Sequence, residues 1–160
     1  MINVEVKRQV DLSAEIVWEE MRHFDRVLRW IPGGDKSTIT VNGNGVGAVR
    51  DIHLATQGYV QHRLTAYDEV KRMFSYELTG GKPIGMQSYW VTASVTVIDS
   101  DHCSICWSGQ MSADASLNEE DVADALEIAL GNMVIGTIAL LKNETPKFHQ
   151  QPNEDWQLRR

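Results

Sequence analysis

The side chains best suited to chemistry are Arg50, His62, Tyr76 and Tyr89. A guanidinium binds carboxylates, a histidine titrates near neutral pH and acts as a general acid or base, and a tyrosine hydroxyl donates to carbonyl oxygens. Each of them lies in a segment where polar and apolar residues alternate, and each shares the phase of the apolar set. We therefore expect them to face the interior, as the few polar groups of an otherwise apolar small-molecule pocket.

Arg50 leaves several interpretations open, because an unpaired buried charge is very costly. Arg50 is solvated at a rim or paired with an acid such as Asp51 or Asp68; or it binds a carboxylate or enolate of a ligand; or it forms an acid–base or oxyanion-stabilising site with His62. A lone inward histidine is more often a structural hydrogen-bonding residue. Inward tyrosines are likewise more often core aromatics.

Other motif-like features are explained by local structure. Cys103 and Cys106 have C-x-x-C spacing, but they lie on a predicted strand, where side chains three apart face opposite sides. The glycine-rich stretch 43–47 lies between two predicted strands, without the helix N-terminus that a phosphate site requires. The histidines are scattered and lack metal-ligand spacing. We expect ordinary thiols, a turn, no bound metal and no cofactor.

The composition predicts one soluble globular domain. The 160 residues carry a net charge of −7, whereas nucleic acids and anionic membranes both require a basic patch. The N-terminus has no basic region followed by an apolar one, and no stretch reaches the roughly 18 apolar residues of a membrane span. We therefore expect a cytoplasmic protein, a monomer or homodimer, with neither a nucleic-acid partner nor a membrane span.

The elements that must position these side chains follow from hydrophobic periodicity. The pattern predicts a strand at Ile2–Val10, a short helix capped by Ser13, a second short helix at Asp25–Trp30, and a long helix from a cap at Asn118 to about Lys142. Further predicted strands, separated by turn residues, are Ser37–Val41, Ala48–Ala55, Tyr59–Tyr67, Met73–Thr79, Ser88–Ile98 and His102–Met111. Residues 1–143 would form the domain, and 144–160 a polar C-terminal tail.

Several short segments, in this order, resemble one known family. They are Ser13–Trp18, Arg29–Pro32, Gly45–Arg50, Arg63-Leu64 with Tyr67-Asp68, Ser75–Leu78, Trp107–Gly109 and Glu119–Asp121. Together they are similar to the START-like, helix-grip superfamily (SRPBCC), in its polyketide cyclase/dehydratase group. The resemblance implies an α+β fold in which a curved antiparallel sheet of about seven strands wraps a long C-terminal helix, with two short helices after the first strand.

The resemblance also implies a hydrophobic cavity between sheet and helix. Members include lipid carriers, hormone receptors, cyclases and dehydratases, and no cofactor is general to the group. Relatives usually have glutamate at the position of His62, so Arg50 lacks the family's acidic neighbour. The loop matching the gate of the plant hormone receptors is shortened here to about Ala55–Gly58, which argues against a receptor of the same gated type.

These considerations predict the residues of the site and its use. The chain would bind or carry a small hydrophobic molecule, or alternatively act as a cofactor-independent polyketide cyclase, aromatase or dehydratase, with His62, Tyr76 and Arg50 as catalytic residues. A third hypothesis is an interaction module whose tail, with Phe148 and Trp156, contacts a partner or a second copy. The predicted ligand-binding residues are Arg50, Ile52, Leu54, Val60, His62, Phe74, Tyr76, Leu78, Tyr89, Val91, Ile105, Trp107, Ala125, Ala129 and Met133.

Overall fold

One antiparallel sheet accounts for most of the chain in the computed structural model, which describes residues 1–150 and the backbone of 157–159. The strands are β1 (Ile2–Val10), β2 (Thr38–Asn42), β3 (Val49–Leu54), β4 (Gly58–Asp68), β5 (Met73–Gly80), β6 (Met86–Asp99), β7 (His102–Ala113) and the short β8 (Gln157–Arg159). They pair in the order β2-β3-β4-β5-β6-β7-β1-β8. The short turns between β2 and β7 produce this meander, because they join only antiparallel neighbours.

Two helices complete the fold, α1 (Ala14–Met21) and α2 (Glu119–Leu141). Both predicted caps are confirmed: the Ser13 and Asn118 side chains accept hydrogen bonds from the amides of Ile16 and Asp121. The second short helix is smaller than expected. It is a single 3₁₀ turn at Val27–Arg29, and another 3₁₀ turn follows at Gly34–Lys36.

The long helix α2 lies across the concave face of the sheet, and much of the surface of the helix is buried there. Its 23 residues span roughly 35 Å, enough to cross the sheet. By length and composition alone it could cross a membrane, but 61% of its most apolar window is buried inside the fold. Packing against the sheet therefore accounts for its apolar composition.

Close packing fixes where α2 meets the chain that follows α1. The carbonyl oxygen of Trp30 approaches Gly136 so closely that a Cβ there would lie 1.9 Å from it. The Trp30 indole donates to the buried Glu20 carboxylate at 2.9 Å, and that carboxylate also pairs with Arg26. Trp30 thus joins the segment after α1 to both α1 and α2.

The predicted fold class is confirmed: this is an α+β helix-grip arrangement, with seven strands and a short eighth around a long C-terminal helix. Trp18, Phe74, Trp107 and Ile105 belong to one continuous apolar core between sheet and helices. The division into a domain at 1–143 and a tail at 144–160 stays a prediction. Within the second range, Phe148 packs on the core and 157–159 pair with β1.

Candidate functional site

A cavity of about 410 Å³ lies between α2 and strands β3 to β6. Its volume is within the range of about 300–1,000 Å³ that small-molecule sites occupy. No Asp or Glu is among the described residues that line it. The lining residues are Val27, Ile31, Pro32, Arg50, Ile52, Leu54, Thr56, Gln57, Val60, His62, Tyr76, Pro83, Ile84, Met86, Tyr89, Ala125, Leu126, Ile128, Ala129, Leu130, Asn132, Met133 and Gln150.

The predicted site residues separate into two groups. Those that line the cavity are Arg50, Ile52, Leu54, Val60, His62, Tyr76, Tyr89, Ala125, Ala129 and Met133. Those that pack in or against the core, outside this lining, are Phe74, Leu78, Val91, Ile105 and Trp107. Strand phase gives the inward direction but not the depth, so it cannot separate a lining side chain from one packed below it.

Arg50 and His62 are direct cross-strand neighbours. The register of β3 and β4 places them opposite each other, and the Arg50 Nε–H donates to His62 Nδ1 at 3.1 Å. The pairing of β4 with β5 shifts register next to His62. Such irregularities are frequent beside functional sites, because they redirect a side chain.

Arg50 is buried, with 2% of its surface exposed. Its Nη1 donates to the Phe24 carbonyl oxygen at 2.9 Å, while Nη2 has no hydrogen-bond partner among the described residues. The guanidinium carbon lies 4.2 Å from the ring centroid of Phe24 and 4.5 Å from that of Tyr76. Two aromatic faces, one carbonyl oxygen and the His62 Nδ1 atom thus hold the cation.

The expectation that Arg50 is solvated or paired with an acid does not hold. The side chain is buried, and no described carboxylate forms an ion pair with it. Asp51 lies on the opposite face of β3, where it accepts from Tyr59 and Gln61. Burial lowers the pKa of the Arg50 guanidinium, yet arginine stays protonated at neutral pH. The site therefore contains a buried positive charge without a carboxylate.

His62 is a neutral imidazole with a defined tautomer. Burial, and to a smaller extent the charge of Arg50, lowers the pKa of His62 well below its usual 6.5. Since Nδ1 accepts from Arg50, the proton of the neutral ring resides on Nε2. His62 therefore presents an N–H donor and not a basic nitrogen.

The tyrosines add a further donor. Burial raises the pKa of Tyr76, and it raises the pKa of Tyr89 well above its usual value, where Tyr76 adds to the shift. Both hydroxyls are therefore protonated at neutral pH. The Tyr89 hydroxyl is buried without a hydrogen-bond partner among the described residues. The same is true of the Trp107 indole, which lies outside the cavity lining.

Two loops that hydrophobic periodicity does not identify also line the cavity. The Gln57 side chain, between β3 and β4, accepts from the Ile84 amide at 3.1 Å and so joins two loops. Ile84 has a φ of +61°, a left-handed conformation that costs a β-branched residue about 1–3 kcal/mol. Lining residues that sequence reasoning did not single out are Val27, Ile31, Pro32, Thr56, Gln57, Pro83, Ile84, Met86, Ile128, Leu130, Asn132 and Gln150.

The chain after α2 returns to the cavity. Asn132 donates to the His149 carbonyl at 3.0 Å and accepts from the His149 amide at 2.8 Å. Phe148 packs on the core and Gln150 lines the cavity. Helical spacing could have identified Asn132, because it follows Ala125 and Ala129 on the same face of α2. Trp156, the other tail aromatic of the interaction hypothesis, lies outside the described residues.

The remaining candidate motifs show ordinary structure. Cys103 and Cys106 form no disulfide within the described part of the chain; the first is buried in the core and the second is half-buried. No group of three His, Cys, Asp or Glu side chains within the described part of the chain could hold a metal ion.

Comparisons with known proteins agree with this fold. Residues 1–143 match the family described as polyketide cyclase/dehydrase and lipid transport. The protein XoxI from Bacillus cereus has a similar structure, with a TM-score of 0.76, 17% identity, and coverage of 89% of this chain and 97% of that one. No curated protein sequence matches significantly.

Two enzymes are also similar in structure. The Zhui aromatase/cyclase from Streptomyces sp. R1128 has a TM-score of 0.68 and 15% identity, covering 89% of this chain and 92% of that one. Norcoclaurine synthase from Thalictrum flavum has a TM-score of 0.65 and 17% identity, covering 89% and 88%. At these identities the likeness concerns the fold alone. The match over residues 1–143, however, shows that this chain belongs to the polyketide cyclase/dehydrase and lipid transport family.

Proposed function

We propose that this protein binds a small, largely apolar molecule in the cavity between α2 and the sheet, and that it does so in the cytoplasm. One observation carries the proposal: a largely apolar cavity of about 410 Å³ lies beside a buried arginine whose Nη2 has no hydrogen-bond partner among the described residues. Proteins bind small molecules in concave, mostly apolar sites with a few polar groups, and an unsatisfied buried donor is costly. Both features are accounted for if a ligand completes the site.

The protonation states of the polar groups favour binding over proton transfer. A general base needs a pKa near the working pH. His62 is neutral with Nδ1 already engaged, and both tyrosine hydroxyls have raised pKa values. No carboxylate lines the described cavity to serve instead.

A cyclase or dehydratase acting on a ligand held in this cavity is the second candidate. The unpaired donors of Arg50 and Tyr89 support it, because such groups stabilise a developing enolate oxygen. Catalysis would then rest on electrostatic stabilisation and on positioning of the substrate, with His62 as a hydrogen-bond donor.

A cavity-filling substitution tests the binding proposal. Ala129 lies on the cavity face of α2, so Ala129→Phe places a ring where the ligand would lie. Titration with the uncharged dye N-phenyl-1-naphthylamine should show a saturable fluorescence increase with the natural chain. We expect the variant to bind about tenfold more weakly, a loss of about 1.4 kcal/mol.

The matched control puts the same residue on the outer side of α2. Leu140 is 37% exposed, so Leu140→Phe should leave dye affinity unchanged. Thermal unfolding of both variants establishes that they fold. Equal dye affinity of Ala129→Phe and the natural chain, or no saturable binding to either, would refute the proposal.

A further inference from the structure

The cavity lining presents the hydrogen-bond donors of Arg50, His62 and Tyr89, and it contains no acidic group among the described residues. One N–H of Arg50 Nη1 donates to the Phe24 carbonyl and the Nε–H donates to His62, whereas Nη2 has no hydrogen-bond partner among the described residues. The Tyr89 hydroxyl is also buried; it interacts with Tyr76 but has no close hydrogen-bond partner among the described residues. A buried donor left without an acceptor destabilises the fold, and more so when it is charged.

His62 adds to this set because its tautomer is fixed. Nδ1 accepts from Arg50, so Nε2 bears the proton. No hydrogen bond to Nε2 is present within the described residues, and His62 lines the cavity. The groups that face a ligand here are therefore all able to donate.

Charge narrows the class of ligand further. Stacking on Phe24 and Tyr76 compensates the Arg50 cation only in part, because an aromatic ring carries no net negative charge. Burying an ion costs several kcal/mol. One positive charge is balanced by one negative charge, whereas a dianion would leave an excess charge buried.

We propose, resting on the binding function above, that the ligand is a carboxylic acid bound as its monoanion. Its carboxylate accepts hydrogen bonds from Arg50 Nη2 and His62 Nε2. Its apolar body lies along Ile52, Ala125 and Ala129, which line the remainder of the cavity. A charge-assisted hydrogen bond to a carboxylate is roughly twice as strong as a neutral one, so the charged head should dominate selectivity.

Three probes that share one apolar body test this. The probes carry a carboxylate, a hydroxyl or a phosphate on the same naphthalene: 2-naphthoate, 2-naphthalenemethanol and 2-naphthyl phosphate. Each is used to displace N-phenyl-1-naphthylamine from the natural chain. We expect 2-naphthoate to bind about tenfold more tightly than the alcohol, and also more tightly than the phosphate. Equal affinities for acid and alcohol, or tightest binding of the phosphate, would overturn the inference.

Variants assign the preference to the guanidinium. Arg50→Met should remove the advantage of 2-naphthoate over the alcohol. Arg63→Met is the matched control, because Arg63 lies on the outer face of the sheet, paired with Glu77. This variant should still bind 2-naphthoate more tightly than the alcohol. If Arg50→Met does not fold, the affinities of the three probes for the natural chain still decide whether the cavity prefers a carboxylate.

The dye separates this inference from the binding function. Saturable dye binding with no preference among the probes would contradict the carboxylate assignment alone. Failure of the dye and of all three probes to bind would contradict both proposals.

Discussion

Arg50 and His62 determine each other's chemistry. The guanidinium occupies the one imidazole nitrogen that could act as a base, and the imidazole occupies one of the guanidinium donors. Neither group is free to take up a proton at neutral pH. Their contribution to the site is therefore a fixed arrangement of donors.

The buried neutral imidazole makes stability depend on pH. The pKa of folded His62 lies well below the usual 6.5. As pH falls through 6.5, the ring in the unfolded chain therefore takes up a proton and the ring in the folded chain does not. The folded state should lose up to about 1.4 kcal/mol of unfolding free energy per pH unit below this point. His62→Gln keeps an acceptor for Arg50 but cannot titrate.

Denaturant unfolding at a series of pH values measures this effect. The unfolding free energy of the natural chain should fall more steeply than that of His62→Gln between pH 6.5 and about 5. Taking the difference between the two proteins cancels groups such as His102, whose pKa is raised by Asp99. Parallel curves would show that His62 is not buried in its neutral form.

At the scale of elements, α2 packs closely on Trp30, which lies in the same segment as the cavity-lining residues Val27 and Ile31. A Gly→Ala change inside a helix ordinarily stabilises by about 1 kcal/mol. At Gly136 the new Cβ would lie 1.9 Å from the Trp30 carbonyl oxygen, so we expect Gly136→Ala to destabilise by about 1–3 kcal/mol. Thermal or denaturant unfolding gives the sign of the change in unfolding free energy. A variant more stable than the natural chain would contradict this packing.

The segment after α2 covers part of the cavity through Asn132. Asn132→Ala removes both hydrogen bonds to the His149 backbone and should cost about 1–2 kcal/mol of stability. It should also speed dissociation of the bound dye by about tenfold, because Gln150 is then no longer held at the cavity. Stopped-flow dilution measures this rate.

A chain that ends at Asn143 provides the comparison for Asn132→Ala. It lacks the whole covering segment, so its dye dissociation should be at least as fast. If both variants release the dye at the natural rate, the segment does not cover the cavity. The tail could then serve the interaction role that the sequence also suggested.

At the scale of the whole molecule, alternation and capping predict the fold because both are local. Ser13, Asn118 and the strand phases lie in patterns a few residues long, and the register of β3 and β4 then brings Arg50 to His62. The rest of the site depends on distant parts of the chain. Phe24 supplies its carbonyl 26 residues from Arg50, and Gln150 returns from beyond α2.

The methionines allow the central claim, a ligand bound between α2 and the sheet, to be located directly. Met86 and Met133 line the cavity, whereas Met1, Met21, Met73 and Met111 do not. In protein labelled with ¹³C at the methionine methyl groups, titration with N-phenyl-1-naphthylamine should shift the Met86 and Met133 resonances most, saturating with the fluorescence. Saturable fluorescence with those two resonances unmoved, or with shifts confined to Met1 or Met73, would contradict the account.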